Sequence, residues 1–315
     1  MPWLLIPPIL LAALAAATGL SAQRLEQRYP PIGTLAEIDA LRVHYTDTGP
    51  RTGTPIVLIH GASTSLLDFH ASLVPPLADQ HRVVAVDRPG HGYSERPVGD
   101  WPDPARQAEL LHRLLGELGV RRPVLVGHSW AGAVVLAYLL SYPDDAAGGV
   151  LLAGGSHPWE GGVAWYNDVA AVPLLGEVFA WTLPLTVGRL SVSSGIAATF
   201  APDPVPADYR ARTGVELTLR PRTFLANAED IRRLSPFLEG QSNHYGYLRE
   251  PLLLITGDAD GVVPAWNHAE RLVRQAPRTE LVVLEGTGHA LHHVHSARIA
   301  ALISDFAARI QPGDL

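Results

Sequence analysis

Hydrophobic and polar positions divide this chain into distinct stretches. Met1 to Gln23 carries no charged side chain, and Trp3–Leu20 is almost wholly apolar. From Leu41 onward, short apolar runs alternate with longer stretches of helical periodicity. Leu41–Thr46 alternates apolar and polar and predicts a half-buried strand. Ile56–Ile59, Arg82–Val86, Val124–Val126, Val150–Ala153, Leu252–Ile255 and Glu280–Leu284 are short apolar runs that predict buried strands. Between them, Pro104–Leu118, Ala131–Leu140, Ala265–Gln275 and Ala297–Ile310 predict helices. Buried strands separated by helices indicate the α/β class, with a mostly parallel sheet covered on both faces.

Residues 156–247 break this rhythm. They contain no clear strand, are rich in proline, and hold half of the chain's aromatic residues. This pattern predicts a helical cap inserted before the last two strands. Ligands of open α/β sheets bind at the carboxyl ends of the strands, where such a cap would sit. The predicted division is a core of residues 33–155 and 248–312, a cap of residues 156–247 and a linker of residues 24–32.

Residues 1–23 are long enough to matter by themselves. At about 1.5 Å per residue, Trp3–Leu20 spans roughly 27 Å as a helix, close to the thickness of a bilayer core. No basic residue precedes it, whereas Arg24 and Arg28 follow. The reading is a single N-terminal membrane anchor, for which the positive-inside rule would leave the body cytoplasmic. The competing reading is a signal cleaved after Ala15-x-Ala17, giving a secreted or periplasmic form. A soluble amphiphilic tail is the third.

Composition removes several chemistries. There is no cysteine, so disulfides, thiolate metal sites and cysteine nucleophiles are excluded. All 24 basic residues are arginine, so neither a lysine Schiff base nor a Walker A lysine is available. A formal net charge of −7 argues against nucleic acid as a partner. No cofactor and no metal is expected.

The most informative stretch is Val124–Gly132, where a strand runs through Gly127-His128-Ser129-Trp130-Ala131 into a helix. A serine on a sharp strand-to-helix turn, flanked two residues away on each side by small residues, is a nucleophile elbow. Alanine at position 131 departs mildly from the strict Gly-x-Ser-x-Gly pattern. A serine needs a base, and the base an orienting carboxylate. Asp258 and Asp260 follow the strand Leu252–Ile255, and His289 follows the strand that ends at Leu284. The order Ser, Asp, His therefore brings three groups to strand ends, with Asp260 favoured over Asp258. The Ala62 N–H, after His60-Gly61, and the Trp130 N–H are the expected oxyanion donors. His60 is expected to brace its loop, as are Asp87 and His91. His289, His292, His293 and His295 form a cluster read as a partly solvated helix face.

Taken together, these segments resemble the α/β-hydrolase-fold serine hydrolases over residues 33–310. The matching motifs are His60-Gly61, Asp87-Arg88-Pro89-Gly90-His91-Gly92-Tyr93-Ser94, the elbow Gly127–Gly132, Gly257-Asp258-Ala259-Asp260 with Pro264, and Gly288-His289. Epoxide hydrolases and haloalkane dehalogenases of this fold carry aspartate at the elbow, and Ser129 argues against both. Related carbon–carbon bond hydrolases often carry tryptophan after the histidine, where this chain has Ala290. Cofactor-free haloperoxidases share the serine triad. The resemblance implies an esterase- or lipase-like enzyme. The aromatic cap and apolar N-terminus point to apolar, membrane-derived esters. The alternatives are carbon–carbon hydrolysis, lactonase or perhydrolase chemistry, and a non-catalytic ligand-binding protein.

Overall fold

The computed structural model describes residues 6–97 and 99–310. Met1–Leu5 of the apolar segment and residues 311–312 of the expected core lie outside the described residues.

The centre is an eight-stranded sheet in the order β1-β2-β4-β3-β5-β6-β7-β8. The strands are β1 (Thr34–Ile38), β2 (Leu41–Thr48), β3 (Ile56–Ile59), β4 (Val83–Val86), β5 (Val124–His128), β6 (Gly148–Leu152), β7 (Leu252–Gly257) and β8 (Thr279–Leu284). β1 and β2 pair antiparallel, as do β2 and β4. Every pairing from β4 through β3 to β8 is parallel. Residues of β3 to β7 are buried throughout, which explains their continuous apolar runs.

Alternate residues of these strands feed two cores. Val57, Ile59, Leu125, Leu151 and Leu254 pack with α4 (Pro104–Glu117), α5 (Gly132–Ser141) and α11 (Ala269–Gln275). Ile56, Leu58, Val126, Leu152 and Ile255 pack with α2 (Leu67–His70), α3 (Val74–Ala78) and α13 (Ser296–Arg309). α4 starts sharply because Asp103 accepts a hydrogen bond from the Arg106 amide and Pro104 follows it.

Between β6 and β7 the chain builds α6 (Trp165–Ala170), α7 (Leu175–Thr182), α8 (Val192–Phe200), α9 (Tyr209–Thr213) and α10 (Pro221–Gln241). A short α12 (Leu291–Val294) follows the loop that carries His289.

Three sequence expectations change. β1 was not expected. It is a largely exposed edge strand, joined to β2 by a turn at Asp39-Ala40 in which both residues have positive φ. Ala265–His268 is turn and the helix begins at Ala269; there the His268 Nδ1 lies 3.2 and 3.3 Å from the Ser156 and His157 amides. Finally, residues 24–28, expected as linker, continue α1 (Ile6–Arg28). Leu25 is buried there against Leu185 and Leu217 of the helical insertion. Arg220 Nη1 donates to Glu26 Oε1 at 3.0 Å, and Tyr93 Oη donates to the Tyr29 carbonyl. The stretch Pro8–Arg28 is long and apolar enough to cross a membrane.

Candidate active site

β5 delivers Ser129 to the carboxyl edge of the sheet. Its φ is +53°, a left-handed conformation that costs of order 1–3 kcal/mol for a residue with a Cβ. Tight packing of strand on helix holds it there. A Cβ on Gly127 would lie 2.6 Å from the Ala131 carbonyl oxygen, so this position tolerates only glycine. The Gly155 amide donates to the Ser129 carbonyl at 2.9 Å.

The three groups expected to meet do so. Ser129 Oγ lies 2.9 Å from His289 Nε2, and His289 Nδ1 lies 2.8 Å from Asp260 Oδ2. Both His289 and Asp260 are buried. The other Asp260 oxygen accepts from the amides of Val262 and Val263 at 2.8 and 2.9 Å. Two amides thus hold one oxygen in place, and the carboxylate presents the other to the imidazole. Asp258 turns away and accepts from the Gly286 amide at 2.6 Å. Ala62 and Trp130 line the cavity beside Ser129.

His60 braces its loop. Its Nε2 accepts from the Arg88 amide at 3.0 Å and its Nδ1 meets the Gly61 carbonyl at 2.8 Å. Complete burial, with Arg88 and His91 nearby, pushes it down to about 3, so it stays neutral. Asp87 likewise ties loops together. It accepts from the Leu66 and Tyr93 amides and faces His44 Nδ1 at 2.6 Å. His91 is buried between Asn227 and Arg88.

The histidine cluster is not a solvated face. His292 and His293 each place Nε2 on an oxygen of Asp68, at 2.7 and 2.8 Å, and His292 is 1% exposed. The carboxylate comes from α2, more than two hundred residues away in sequence. Burial alone would raise the Asp68 carboxyl, but the charges and hydrogen bonds of His293 and His292 carry it well below the carboxylate range. His128 stands beside them. Its Nε2 donates to the His289 carbonyl at 3.2 Å, and burial keeps its pKa well below the histidine range. Asp68, His128 and His292 place one donor atom each within 4.8 Å of one another, a spacing compatible with a shared cation.

These groups line a cavity of about 1590 Å³. Its walls come from both parts of the fold: Trp159, Trp165, Phe179, Leu183, Ile196 and Phe224 from the insertion, and Val262, Val263 and Trp266 from the loop after β7. Arg271 is the one arginine among the lining residues, and its Nη1 donates to Asn267 Oδ1. Sequence reasoning gave no individual lining residue of the insertion, because which helix face turns inward depends on tertiary packing.

The alpha/beta hydrolase fold family matches residues 54–296. The 2-hydroxy-6-oxononadienedioate/2-hydroxy-6-oxononatrienedioate hydrolase of Burkholderia vietnamiensis is 30% identical over 280 residues, covering 85% of this chain and 92% of that protein. The crystal structure of an alpha/beta hydrolase fold protein from Burkholderia ambifaria superposes with a TM-score of 0.73 at 23% identity, covering 87% of this chain and 97% of that one. The crystal structure of a membrane phospholipase A, a bacterial virulence factor, superposes with a TM-score of 0.66 at 22% identity. That match covers 99% of this chain and 100% of the other, so α1 lies within it.

Proposed function

The chain belongs to the α/β-hydrolase-fold family, and we propose that it is a serine hydrolase cleaving carboxylic esters of apolar substrates through an acyl-enzyme. The observation that carries this reading is the unbroken chain Ser129–His289–Asp260 opening onto a large, mainly apolar cavity. In the proposed mechanism, Ser129 Oγ attacks the ester carbonyl carbon while His289 Nε2 takes its proton. Asp260 holds the imidazole in the tautomer that leaves Nε2 free to accept, and stabilises the imidazolium. The Ala62 and Trp130 N–H groups bind the oxyanion of the tetrahedral intermediate. His289 then protonates the departing alcohol oxygen. Water attacks the acyl-enzyme by the same route and restores Ser129.

The second reading is carbon–carbon bond hydrolysis on the same three residues, and it is favoured by the name of the Burkholderia vietnamiensis relative. That relative is named for a dioate, a doubly charged substrate. Apolar walls with Arg271 as their one arginine suit an acyl chain better than two carboxylates. Ala290 after the histidine supports the same preference.

We further propose that α1 is an uncleaved membrane anchor and that the esters are membrane-derived. Its length and apolar character support this, together with the docking of its C-terminal end on the insertion. The insertion bears Leu174 and Leu190 more than four-fifths exposed.

The test is to treat the full chain in detergent with a fluorophosphonate and locate the adduct by peptide mass spectrometry, then to run a panel of esters and a vinylogous diketone. Labelling of Ser129 that is lost in His289→Ala, with longer acyl esters preferred, supports the proposal. Turnover of the diketone above every ester would establish the second reading instead. No labelling of the folded protein would leave a ligand-binding role.

A further inference from the structure

The oxyanion hole is built into the core, yet it is held from the helical insertion. Arg88 follows the β4 strand end and is 2% exposed. Its Nε donates to the His60 carbonyl at 2.9 Å and its Nη2 to the Gly61 carbonyl at 3.1 Å. Its Nη1 donates to Asp230 Oδ2 of α10 at 2.7 Å, and its guanidinium lies 4.1 Å from the centre of the Trp130 ring. Asp230 is itself fully buried. Its other oxygen accepts from Arg96 and Trp101, and its backbone carbonyl accepts from the Trp130 indole at 2.9 Å. One turn earlier on α10, Asn227 Oδ1 accepts from the Ser63 amide at 2.6 Å, and its Nδ2 donates to Ser63 Oγ at 3.0 Å. Ser63 has φ of +58°, a conformation that needs such an anchor.

The Gly61 carbonyl and the Ala62 N–H belong to one planar peptide unit, so they point in opposite directions. A guanidinium seated on that carbonyl fixes the plane of the unit. It also polarises the peptide so that the opposite N–H is a stronger donor. The other donor, Trp130, is fixed by its indole and by the same guanidinium. Both donors therefore depend on Asp230 of α10, and the loop of Ala62 is held by Asn227 as well.

We propose that Arg88, held by Asp230, is the positioning residue of the oxyanion hole, and that Asn227 sets the far side of the same loop. The insertion then contributes to rate as well as to substrate choice. This inference rests on the serine ester hydrolase reading.

A ligand that forms the tetrahedral oxyanion tests it directly. A trifluoromethyl ketone adds Ser129 Oγ to its carbonyl carbon, sends the serine proton to His289, and leaves the negative charge on its oxygen. The matching methyl ketone occupies the same cavity without that charge. Arg88→Gln keeps a donor but removes the charge. Its kcat on a soluble ester is expected to fall about 10- to 100-fold, somewhat less than loss of a whole donor, with KM little changed. The trifluoromethyl ketone should weaken by the same factor, the methyl ketone should bind as before, and the midpoint of the pH–rate profile should not move. Asn227→Ala, which leaves the buried charge pair intact, is expected to follow the same line with a loss of about 10-fold. It decides the matter if Arg88→Gln does not fold. Equal weakening of both ketones, or unchanged kcat in the folded variants, would overturn the inference while leaving the ester hydrolase reading intact. Wild-type protein that neither cleaves the ester nor binds the trifluoromethyl ketone would overturn both.

Discussion

Replacing Asp260 by asparagine exchanges one oxygen for an NH₂ group, and the structure dictates which way the new amide must face. One carboxylate oxygen accepts from two backbone amides, those of Val262 and Val263, while the other faces one imidazole nitrogen. An amide turned with NH₂ toward the backbone would set donor against donor twice, at about 1–3 kcal/mol for each buried group left unpaired. The amide oxygen therefore stays with Val262 and Val263, and NH₂ faces His289. The imidazole must then accept at Nδ1, which moves its proton to Nε2, the atom that should receive the proton of Ser129. By analogy with a serine protease triad, kcat should fall about 10⁴-fold, or about 5.5 kcal/mol of transition-state stabilisation. The assay is steady-state hydrolysis of a soluble short-chain ester by the full chain, with Asp258→Asn alongside. Asp258 is exposed and touches the Gly286 amide but not His289, so its variant should stay within a few-fold of wild type. An Asp260→Asn enzyme within tenfold of wild type, or an equal loss in Asp258→Asn, would refute the reasoning.

Ser129→Ala should lose fluorophosphonate labelling and on the order of 10⁶ in turnover, and hydrolysis near the wild-type rate would rule out the acyl-enzyme scheme. Acid should destabilise the fold. Burial pushes His60 down to about 3 and His268 down to about 4, from 6.5. The unfolded chain takes up protons at these residues below pH 6.5 while the native state does not. Their stabilising effect is therefore intact above that pH and shrinks as pH falls toward 4, by about 1.4 kcal/mol per pH unit for each histidine. Denaturant melts at pH 7 and pH 5 check this, and an equal or higher midpoint at pH 5 would contradict it. The full chain should float with phospholipid vesicles after an alkaline wash. Recovery of a soluble chain beginning near residue 18 would instead indicate a cleaved signal.

The groups legible in the sequence were those whose chemistry is announced by local pattern. Ser129 and Asp260 each follow a buried apolar run and His289 follows the largely unburied edge strand β8, so strand ends alone brought them to one edge. Asp68 was invisible as a partner of His292 and His293, because nothing near it in sequence marks a contact with the far end of the chain. Asp230 was equally hidden, since an acidic residue on a helix with arginines nearby reads as surface. The short edge strand Thr34–Ile38 has exposed residues and a turn without glycine, so neither periodicity nor turn chemistry marked it. Arg24, Glu26 and Arg28 read as linker because charge ends an apolar run. In the fold Arg24 and Arg28 are exposed, while Leu25 packs against the insertion and Glu26 pairs with Arg220.

That contact changes what kind of attachment α1 would be. A flexible linker is a rope, which lets a domain swing and sample many orientations above a surface. Here the helix runs without a break through Leu25 and Glu26, and these with Tyr29 just beyond its end are fastened to Leu185 and Leu217, Arg220 and Tyr93. It acts as a mast stepped into the insertion that walls the cavity. With α1 across a bilayer, the tilt of the helix and the aim of the cavity mouth become one variable. The lipid around the mast then sets the angle at which a substrate must arrive.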